Sequence, residues 1–373
     1  MGLQFLIFLV AFLVVFICTP SLIKVSLMKN LTDEPGDIRK LHSKHTPTLG
    51  GVIIFAGTLF SFTLLLPTIA LQSPEQVNQI VSDSSYLVAA MLVLFFIGIK
   101  DDIVGTAPIF KLLGHILVGM ILVLMAKIRI TGFHGLFGVH DIPEWGSIFL
   151  SIFVYVVVVN AFNFIDGLDG LAAGIGLISS LAFGVWFTLA GSFALAGLAF
   201  ALAGSLLGFL VYNFSPAKIF MGDSGSLIVG LILSVLGIKL IEFDPAHIPS
   251  YLVSIPRPLV VMSLFAYPLI DALRIVIIRT ARGVSPFEAD RNHLHHALID
   301  LNLGHRKASL VLYLYTVSVV GLVILMKDVS PTLTFIVVAL YALVALQIPI
   351  LIRNRQRKHN GAIIKEMERH QAI

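Results

Sequence analysis

The chain has 373 residues, of which 57% are hydrophobic and only 12% are charged, and its formal net charge is +4. Soluble globular proteins are about 45–50% apolar and about 25% charged, so the composition excludes a soluble enzyme and a disordered chain. A single cysteine excludes a disulfide scaffold, and the long apolar runs exclude a membrane β-barrel, whose strands alternate in polarity.

The apolar residues form runs long enough to cross a membrane, which takes about 20 residues per helix. We expect an all-α polytopic integral membrane protein of about 11 transmembrane helices, with ten as the alternative because the third run is short. The transmembrane domain is predicted over 1–352 and a basic tail over 353–373. The first run lacks a basic n-region and a cleavage site, so it is predicted to be retained. The runs lie at 3–23, 48–70, 86–99, 109–126, 146–162, 171–190, 193–212, 225–241, 258–278, 308–326 and 331–352.

Basic residues predict the orientation of these helices. With the N-terminus outside, the inner segments carry 19 of the 25 Lys and Arg residues and the outer segments carry five. The positive-inside rule therefore places the N-terminus outside and the C-terminus in the cytoplasm. The tail is predicted to contact anionic lipid in the bilayer, with a partner-binding role as the alternative.

Ionisable residues near membrane depth are costly and usually functional, and here they gather in five inner segments. In the first segment, Lys40 and His42 could meet a phosphate, although a solvated basic loop is the simpler interpretation. In the second, Asp101 and Asp102 would repel one another unless a cation or a base lies close. Lys111 follows at the start of the next predicted helix.

The third segment is the richest in polar side chains. Asn160, Asn163, Asp166 and Asp169 are each three residues apart, a spacing that places neighbours on one helical face. Two amides and two carboxylates at the end of an apolar helix are energetically costly and have no evident structural role, so we expect a binding site here.

The last two segments contain Asp223 and a histidine cluster. Asp223 stands at the start of the eighth predicted helix, where it could also serve as an N-cap. Arg291 precedes His293, His295 and His296, which suggests a metal or phosphate site. The spacing lacks the pattern of a zinc site. The many carboxylate and amide oxygens favour a hard cation such as Mg²⁺, with Mn²⁺ as the substitute.

These groups, which comprise oxygen ligands, bases and histidines, lie on one face of the membrane. Such a site suits an enzyme at which a soluble phosphorylated substrate meets a second substrate held in the lipid. A transporter or flippase of a phosphorylated lipid is the rival from another class, but it would favour polar groups near the bilayer midplane. No nucleic acid is expected as a partner.

The run from Asn160 to Ala172, the Asp101-Asp102 pair, the segment Met221–Gly225 and the run His293–His296 resemble the polyprenyl-phosphate N-acetylhexosamine-1-phosphate transferase superfamily. The His-Leu-His-His form resembles its undecaprenyl-phosphate N-acetylglucosamine-1-phosphate transferase branch. The alternative is the branch that transfers phospho-N-acetylmuramyl-pentapeptide in peptidoglycan synthesis.

The resemblance implies transfer of a sugar-1-phosphate from a UDP-N-acetylhexosamine to undecaprenyl phosphate, on the cytoplasmic face of a bacterial inner membrane. UDP-N-acetylglucosamine is the leading donor, UMP leaves, and the product begins an envelope glycan. Homodimers occur in the superfamily, so the oligomeric state stays open.

The resemblance also implies roles for residues. It places Mg²⁺ ligands at Asn163 and Asp223 and catalytic acids at Asp101, Asp102 and Asp223. Substrate-binding residues implied or suggested are Lys40, His42, Lys111, Asn160, Asp166, Asp169, Arg291, His293, His295 and His296. Direct attack by the lipid phosphate and a covalent aspartyl mechanism both remain open.

Overall fold

The structure, a computed structural model, describes residues 2–33, 46–71, 77–283 and 293–371. These residues fold almost entirely into helices, which confirms the predicted all-α class. A short antiparallel pair joins β1 (Thr32–Asp33) to β2 (Thr46–Pro47). The helices are α1 Gly2–Met28, α2 Gly50–Leu71, α3 Val77–Val104, α4 Pro108–Met120, α5 Glu144–Phe164, α6 Leu171–Leu189, α7 Phe193–Asn213, α8 Gly222–Ile241, α9 Ser250–Val253, α10 Arg257–Leu264, α11 Ala266–Ala281, α12 Leu294–Asp300, α13 Gly304–Leu325 and α14 Pro331–Gln371.

Most of these helices are built to cross a bilayer. Within the described ranges, nine are long and apolar enough to span, and the pair α10 and α11, bent by 65°, brings the total to ten. By length and composition alone, this total equals the lower of the two predicted counts. The third predicted run, 86–99, lies inside α3, a 28-residue helix that is not among those ten.

Helix α3 nevertheless covers the same depth as α8 and runs antiparallel to it. Near the start of α3, Asp83 forms an ion pair of 2.5 Å with Lys239 in the last turn of α8. At the other end, Asp102 in the last turn of α3 contacts the backbone of Asp223 in the first turn of α8. We call the end of the bundle at Asp223 the site end.

Helix α8 forms the centre of the bundle, with α2, α3, α5, α6, α7 and α10 around it. Nearly every residue of α8 is buried, and the close packing depends on small residues. A Cβ at Gly230 would lie 2.8 Å from the Cα of Val159 in α5. Small residues that allow backbones to approach are typical of helix packing in membranes, where van der Waals contact drives association.

The predicted boundary between the transmembrane domain and the basic tail falls inside a helix. Helix α14 continues without a break from Pro331 to Gln371. Arg353, the first residue of the predicted tail, lies 3.6 Å from Asp300 at the end of α12. The inner part of α14 thus packs against the short helix that carries the histidine run.

Candidate active site

Three helix ends meet around the ammonium group of Lys111. Asp101 lies in the last turn of α3, Lys111 in the first turn of α4, and Asp223 in the first turn of α8. The Lys111 Nζ atom lies 2.7 Å from Asp101 Oδ2 and 2.5 Å from Asp223 Oδ2. Because opposite charges at this separation attract strongly at low effective dielectric, Lys111 holds the two carboxylates together. Lys111, the base that follows the acidic pair in the sequence, thus contacts Asp101 of that pair.

Asp102 contacts a different part of the site from its neighbour Asp101. Its carboxylate accepts hydrogen bonds from Asp223 N (2.7 Å), Ser224 N (3.1 Å) and Ser224 Oγ (2.6 Å). The first N–H groups of a helix have no partner within the helix, and they carry the positive end of its dipole. Asp102 therefore caps α8 from another helix. Asp223, which could have been the N-cap, lies within the first turn instead.

This cap requires very close approach of the backbone. Gly222 has a φ of +69°, and a Cβ there would lie 2.2 Å from Thr48 O and 2.7 Å from Asp102 Oδ1. A Cβ at Gly98 in α3 would lie 2.5 Å from the Cα of Ser224. Glycine at both positions lets α3 approach the start of α8 closely enough for Asp102 to reach it.

Asn163 lies beside the same turn of α8. Its Nδ2 donates to Ser226 Oγ at 3.0 Å, and that hydroxyl donates to Gly222 O at 3.1 Å. None of the described residues donates a hydrogen bond to its amide oxygen Oδ1, so that oxygen is available to a ligand. Asn163 and Asp223 thus offer oxygen donors at the same helix end, as the implied metal site requires.

The polar series at the end of α5 does not share one helical face throughout. Helix α5 ends at Phe164, so Asn160 and Asn163 are on the helix while Asp166 and Asp169 lie in the following loop. The predicted single face is wrong for these two acids. Gly167 and Gly170 follow the end of the helix. Glycine at such positions is typical of a helix end, so the sequence did contain a signal for this break.

Asp166 faces the start of α8 from this loop. The backbone N–H of Gly222 donates to its carboxylate. Burial, together with the negative charges of Asp223 and Asp102, raises the pKa of Asp166 well above its ordinary value. A nearby cation would lower it again.

Asp169 organises the loop itself. It accepts from Ala217 N at 3.1 Å and lies 3.4 Å from His305 Nδ1 in α13. Burial alone would raise the pKa of Asp169, but His305 and the hydrogen bonds from Ala217 and Ser215 outweigh it, so the net pKa is lowered. The predicted substrate contact of Asp169 stays a prediction; its observed contacts hold the α5–α6 connection.

The histidine run packs against the end of α5. The rings of His293 and Phe164 have centroids 6.1 Å apart, and a Cβ on Gly167 would lie 3.1 Å from His295 Nε2. His295 and His296 have ring centroids 4.4 Å apart. Burial lowers the pKa of His295 to about 3, so His295 is neutral near pH 7.

Sequence reasoning missed Asp271, which orients this run. Asp271 lies in α11, is 1% exposed, and accepts from His293 Nδ1 and from Leu294 N, both at 2.9 Å. Asp271, His293 and His295 have ligand atoms within 4.8 Å of one another, as in a metal site. The two hydrogen bonds account for this carboxylate without an ion. An acid inside the apolar run 258–278 was the signal that could have revealed it.

Sequence reasoning also missed His115 in α4. This residue is 3% exposed, and its Nδ1 lies 3.0 Å from Asn160 Nδ2. The contact ties the predicted binding residue Asn160 to the helix that carries Lys111.

The site end therefore collects all the predicted residues that the structure describes. Lys40, His42 and Arg291 lie outside the described residues. Among the described acids at the centre, Asp101 and Asp223 contact the ammonium of Lys111. Asp102 and Asp166 lie close to Asp223 and contact the start of α8 instead. Such an excess of carboxylate, with the amide oxygen of Asn163 beside it, fits a hard divalent cation.

Comparison with known proteins gives the same family as the sequence motifs. The family described as glycosyl transferase family 4 matches residues 84–241. The chain is 34% identical over 294 residues to the decaprenyl-phosphate N-acetylglucosaminephosphotransferase of Mycobacterium tuberculosis, covering 74% of this chain and 71% of that protein.

Two further relatives have related names. A probable undecaprenyl-phosphate N-acetylglucosaminyl 1-phosphate transferase of Bacillus subtilis is 32% identical, covering 82% of this chain and 80% of that protein. The undecaprenyl-phosphate alpha-N-acetylglucosaminyl 1-phosphate transferase of Escherichia coli is 29% identical, covering 78% and 75%. The chain is thus a multi-pass membrane protein that belongs to glycosyl transferase family 4, beside its polyprenyl-phosphate N-acetylglucosamine-1-phosphate transferases.

Proposed function

We propose that this protein transfers N-acetylhexosamine-1-phosphate from a UDP-sugar to undecaprenyl phosphate, with release of UMP. The leading sugar is N-acetylglucosamine, since the relatives above are named for it. The observation that carries the proposal is the Lys111 ammonium between Asp101 and Asp223, with the Asn163 amide of α5 beside the start of α8. Transfer of a phosphoryl group needs little covalent chemistry from the protein beyond positioning and charge stabilisation.

The lipid phosphate is the natural nucleophile. A phosphate monoester has a second pKa near 6, so most of it is dianionic at pH 7 without a strong base. One of its oxygens attacks the β-phosphorus of the UDP-sugar, and the bond from that phosphorus to the oxygen shared with the α-phosphate breaks. The departing UMP takes the electron pair. Lys111 neutralises phosphate charge, while Asp101 orients the nucleophile or accepts a residual proton.

The donor set at the start of α8 fits a resident Mg²⁺. Asn163 and Asp223 would hold the ion, and it would stabilise negative charge on the phosphates. Asp102 contributes by fixing the backbone of Asp223 through the contacts of 2.7 and 3.1 Å to the first turn. Mn²⁺ would serve as a substitute.

A covalent route would make an aspartate the nucleophile. Both oxygens of Asp102 already accept hydrogen bonds from α8, so the candidate within this pair is Asp101. The covalent route requires exchange of label between UMP and UDP-sugar without lipid, whereas direct transfer forbids it. Absence of exchange in enzyme that turns over would exclude the covalent intermediate.

The reaction itself can be tested with purified protein in nanodiscs. UDP-N-acetylhexosamines with a labelled sugar are incubated with undecaprenyl phosphate and Mg²⁺, and the lipid product is extracted into butanol. We expect lipid-linked label with UDP-N-acetylglucosamine, a loss of about a hundredfold or more in Asp223→Asn, and no loss in Glu144→Gln. Glu144 pairs with Arg129 on an exposed surface at the start of α5, at the opposite end of that helix from Asn163. Label that stays aqueous with every UDP-sugar, including the muramyl-pentapeptide donor, would overturn the proposal.

The site end is proposed to face the cytoplasm of a bacterial inner membrane. The 19 Lys and Arg residues of the predicted inner segments support this orientation. Cysteines introduced at Lys218, on the site side, and at Glu144, on the opposite side, should label oppositely with a membrane-impermeant maleimide in intact cells. Labelling of Lys218→Cys from outside would reverse the orientation.

A further inference from the structure

His115 is a polar side chain enclosed between two membrane-spanning helices. It lies in α4 one turn beyond Lys111 and is 3% exposed. Its ring atom Nδ1 lies 3.0 Å from the amide nitrogen of Asn160 in α5. Buried polar groups inside such helices usually serve function, since an apolar residue would pack at lower cost.

The hydrogen bonds around Asn160 fix the orientation of its amide. The Nδ2 group has two hydrogens, and it donates one to Val156 O at 2.7 Å and the other to His115 Nδ1. Because Nδ1 accepts, His115 is neutral and carries its proton on Nε2. The oxygen Oδ1 of Asn160 is left to accept a hydrogen bond from a ligand.

The ring of His115 makes this contact at an energetic disadvantage. Its Nε2 is buried and has no hydrogen-bond partner among the described residues. Leaving a buried donor unsatisfied destabilises a fold. A leucine at this position would lack the acceptor at Nδ1. The hydrogen bond that orients Asn160 is therefore the contact that distinguishes His115 from an apolar residue.

The same arrangement is repeated one turn further along α5. Asn163 donates its Nδ2 to Ser226 Oγ at 3.0 Å, which leaves its own Oδ1 for a ligand. Asn160 and Asn163 are three residues apart on the helix, so they share a face. Two amides whose nitrogens are held by protein therefore leave two carbonyl oxygens available beside the cation site.

We propose that His115 is a positioning residue that acts through Asn160 on the bound divalent cation. When the cation is bound, Asn163 and Asp223 would ligate it, and Asn160 Oδ1 would accept a hydrogen bond from its hydration shell. This inference rests on the proposed function for the presence of the cation. Groups that orient the surroundings of a metal ion typically change affinity or activity by about 10- to 100-fold when removed.

The test compares variants that keep or remove the acceptor at position 115. Mn²⁺ affinity is measured by electron paramagnetic resonance on protein in nanodiscs, and kcat is measured in the butanol assay. His115→Leu should weaken Mn²⁺ binding about tenfold or more. His115→Gln, whose Oε1 can accept from Asn160, should stay within about threefold of the wild type. Glu144→Gln is the matched control, and thermal unfolding reports folding.

A double-mutant cycle decides whether His115 acts through Asn160. Asn160→Ala alone should weaken Mn²⁺ binding as His115→Leu does, and the double variant should lose nothing further. Losses that multiply, or wild-type Mn²⁺ affinity in His115→Leu, would overturn the inference. If His115→Leu fails to fold, His115→Met, which also lacks the acceptor, takes its place in the cycle. A wild type that binds Mn²⁺ in this pattern but transfers no sugar would refute the proposed function alone.

Discussion

Loss of charge should have different effects at the two adjacent acids at the end of α3, on stability at one and on turnover at the other. Asp102 accepts three hydrogen bonds from the first turn of α8, whereas Asp101 contacts Lys111. We therefore expect Asp102→Asn to destabilise the fold and displace Asp223. Asp101→Asn should abolish turnover and leave the fold intact.

The size of the effect at Asp102 follows from its contacts. An asparagine keeps one acceptor oxygen but turns an NH₂ group toward the N–H groups of α8, so about two of the charge-assisted bonds are lost. At about 1.5 kcal/mol each, the cost is about 3 kcal/mol. For a chain of 373 residues, whose entropy of unfolding is about 0.8 kcal/mol/K, that lowers Tm by about 4 °C. Ser224→Ala removes only the bond of 2.6 Å, so it should lower Tm by about 1–2 °C.

Both properties can be measured on the same nanodisc preparations. Thermal unfolding gives Tm, and the butanol assay gives kcat at saturating Mg²⁺. Asp101→Asn should keep Tm within about 2 °C and fall below a tenth of wild-type kcat. Asp102→Asn with a wild-type Tm and lost turnover would refute the capping role, because the acid would then act in the chemistry itself.

Three further substitutions test other contacts of the bundle. Lys111→Met should lower kcat about 10²–10³-fold and lower Tm in a way that Mg²⁺ partly reverses, since Asp101 and Asp223 then face each other without a cation; an unchanged kcat would contradict this. Asp83→Asn breaks the ion pair with Lys239 at the opposite end, so Tm should fall by about 1 °C with kcat unchanged. Asp169 has a lowered pKa, so its ionised form stabilises the fold above its ordinary value of 3.8 and this contribution is lost as pH falls below it. Asp169→Asn should accordingly lower Tm at pH 7, and this difference should shrink as pH falls below 3.8. A shift that does not change with pH would contradict the charge argument.

The site could be predicted because alternating spans bring alternate loops to one end. Asp101, Asn163 and Asp223 belong to loops that are separated by an even number of membrane crossings. Such loops lie on the same side of the membrane, so the three residues were expected at one end of the bundle. The bundle then needed only close packing to bring them within reach. Glycine at positions 98 and 222 supplies that packing.

The division of labour within the site could not be predicted. Asp101 and Asp102 are identical residues side by side, and only the position of α8 decides which one caps a helix. His115 and Asp271 were detectable as polar residues inside apolar runs, but their partners 45 and 22 residues away in sequence were not. The break after Phe164 was signalled by glycine, yet regular spacing favoured a continuous helix.

The charge at the site end implies that the cation is needed for binding as well as for chemistry. Asp101 and Asp223 contact the ammonium of Lys111, and Asp102 and Asp166 lie close to Asp223, so carboxylates outnumber ammonium groups among the described residues of this cluster. A diphosphate that enters such a cluster is repelled unless positive charge is added. We therefore expect UDP-sugar binding, measured by equilibrium dialysis, to weaken at least about tenfold in EDTA and to recover with Mg²⁺ or Mn²⁺. Equal affinity with and without the cation would mean that basic side chains outside this cluster carry the phosphates by themselves.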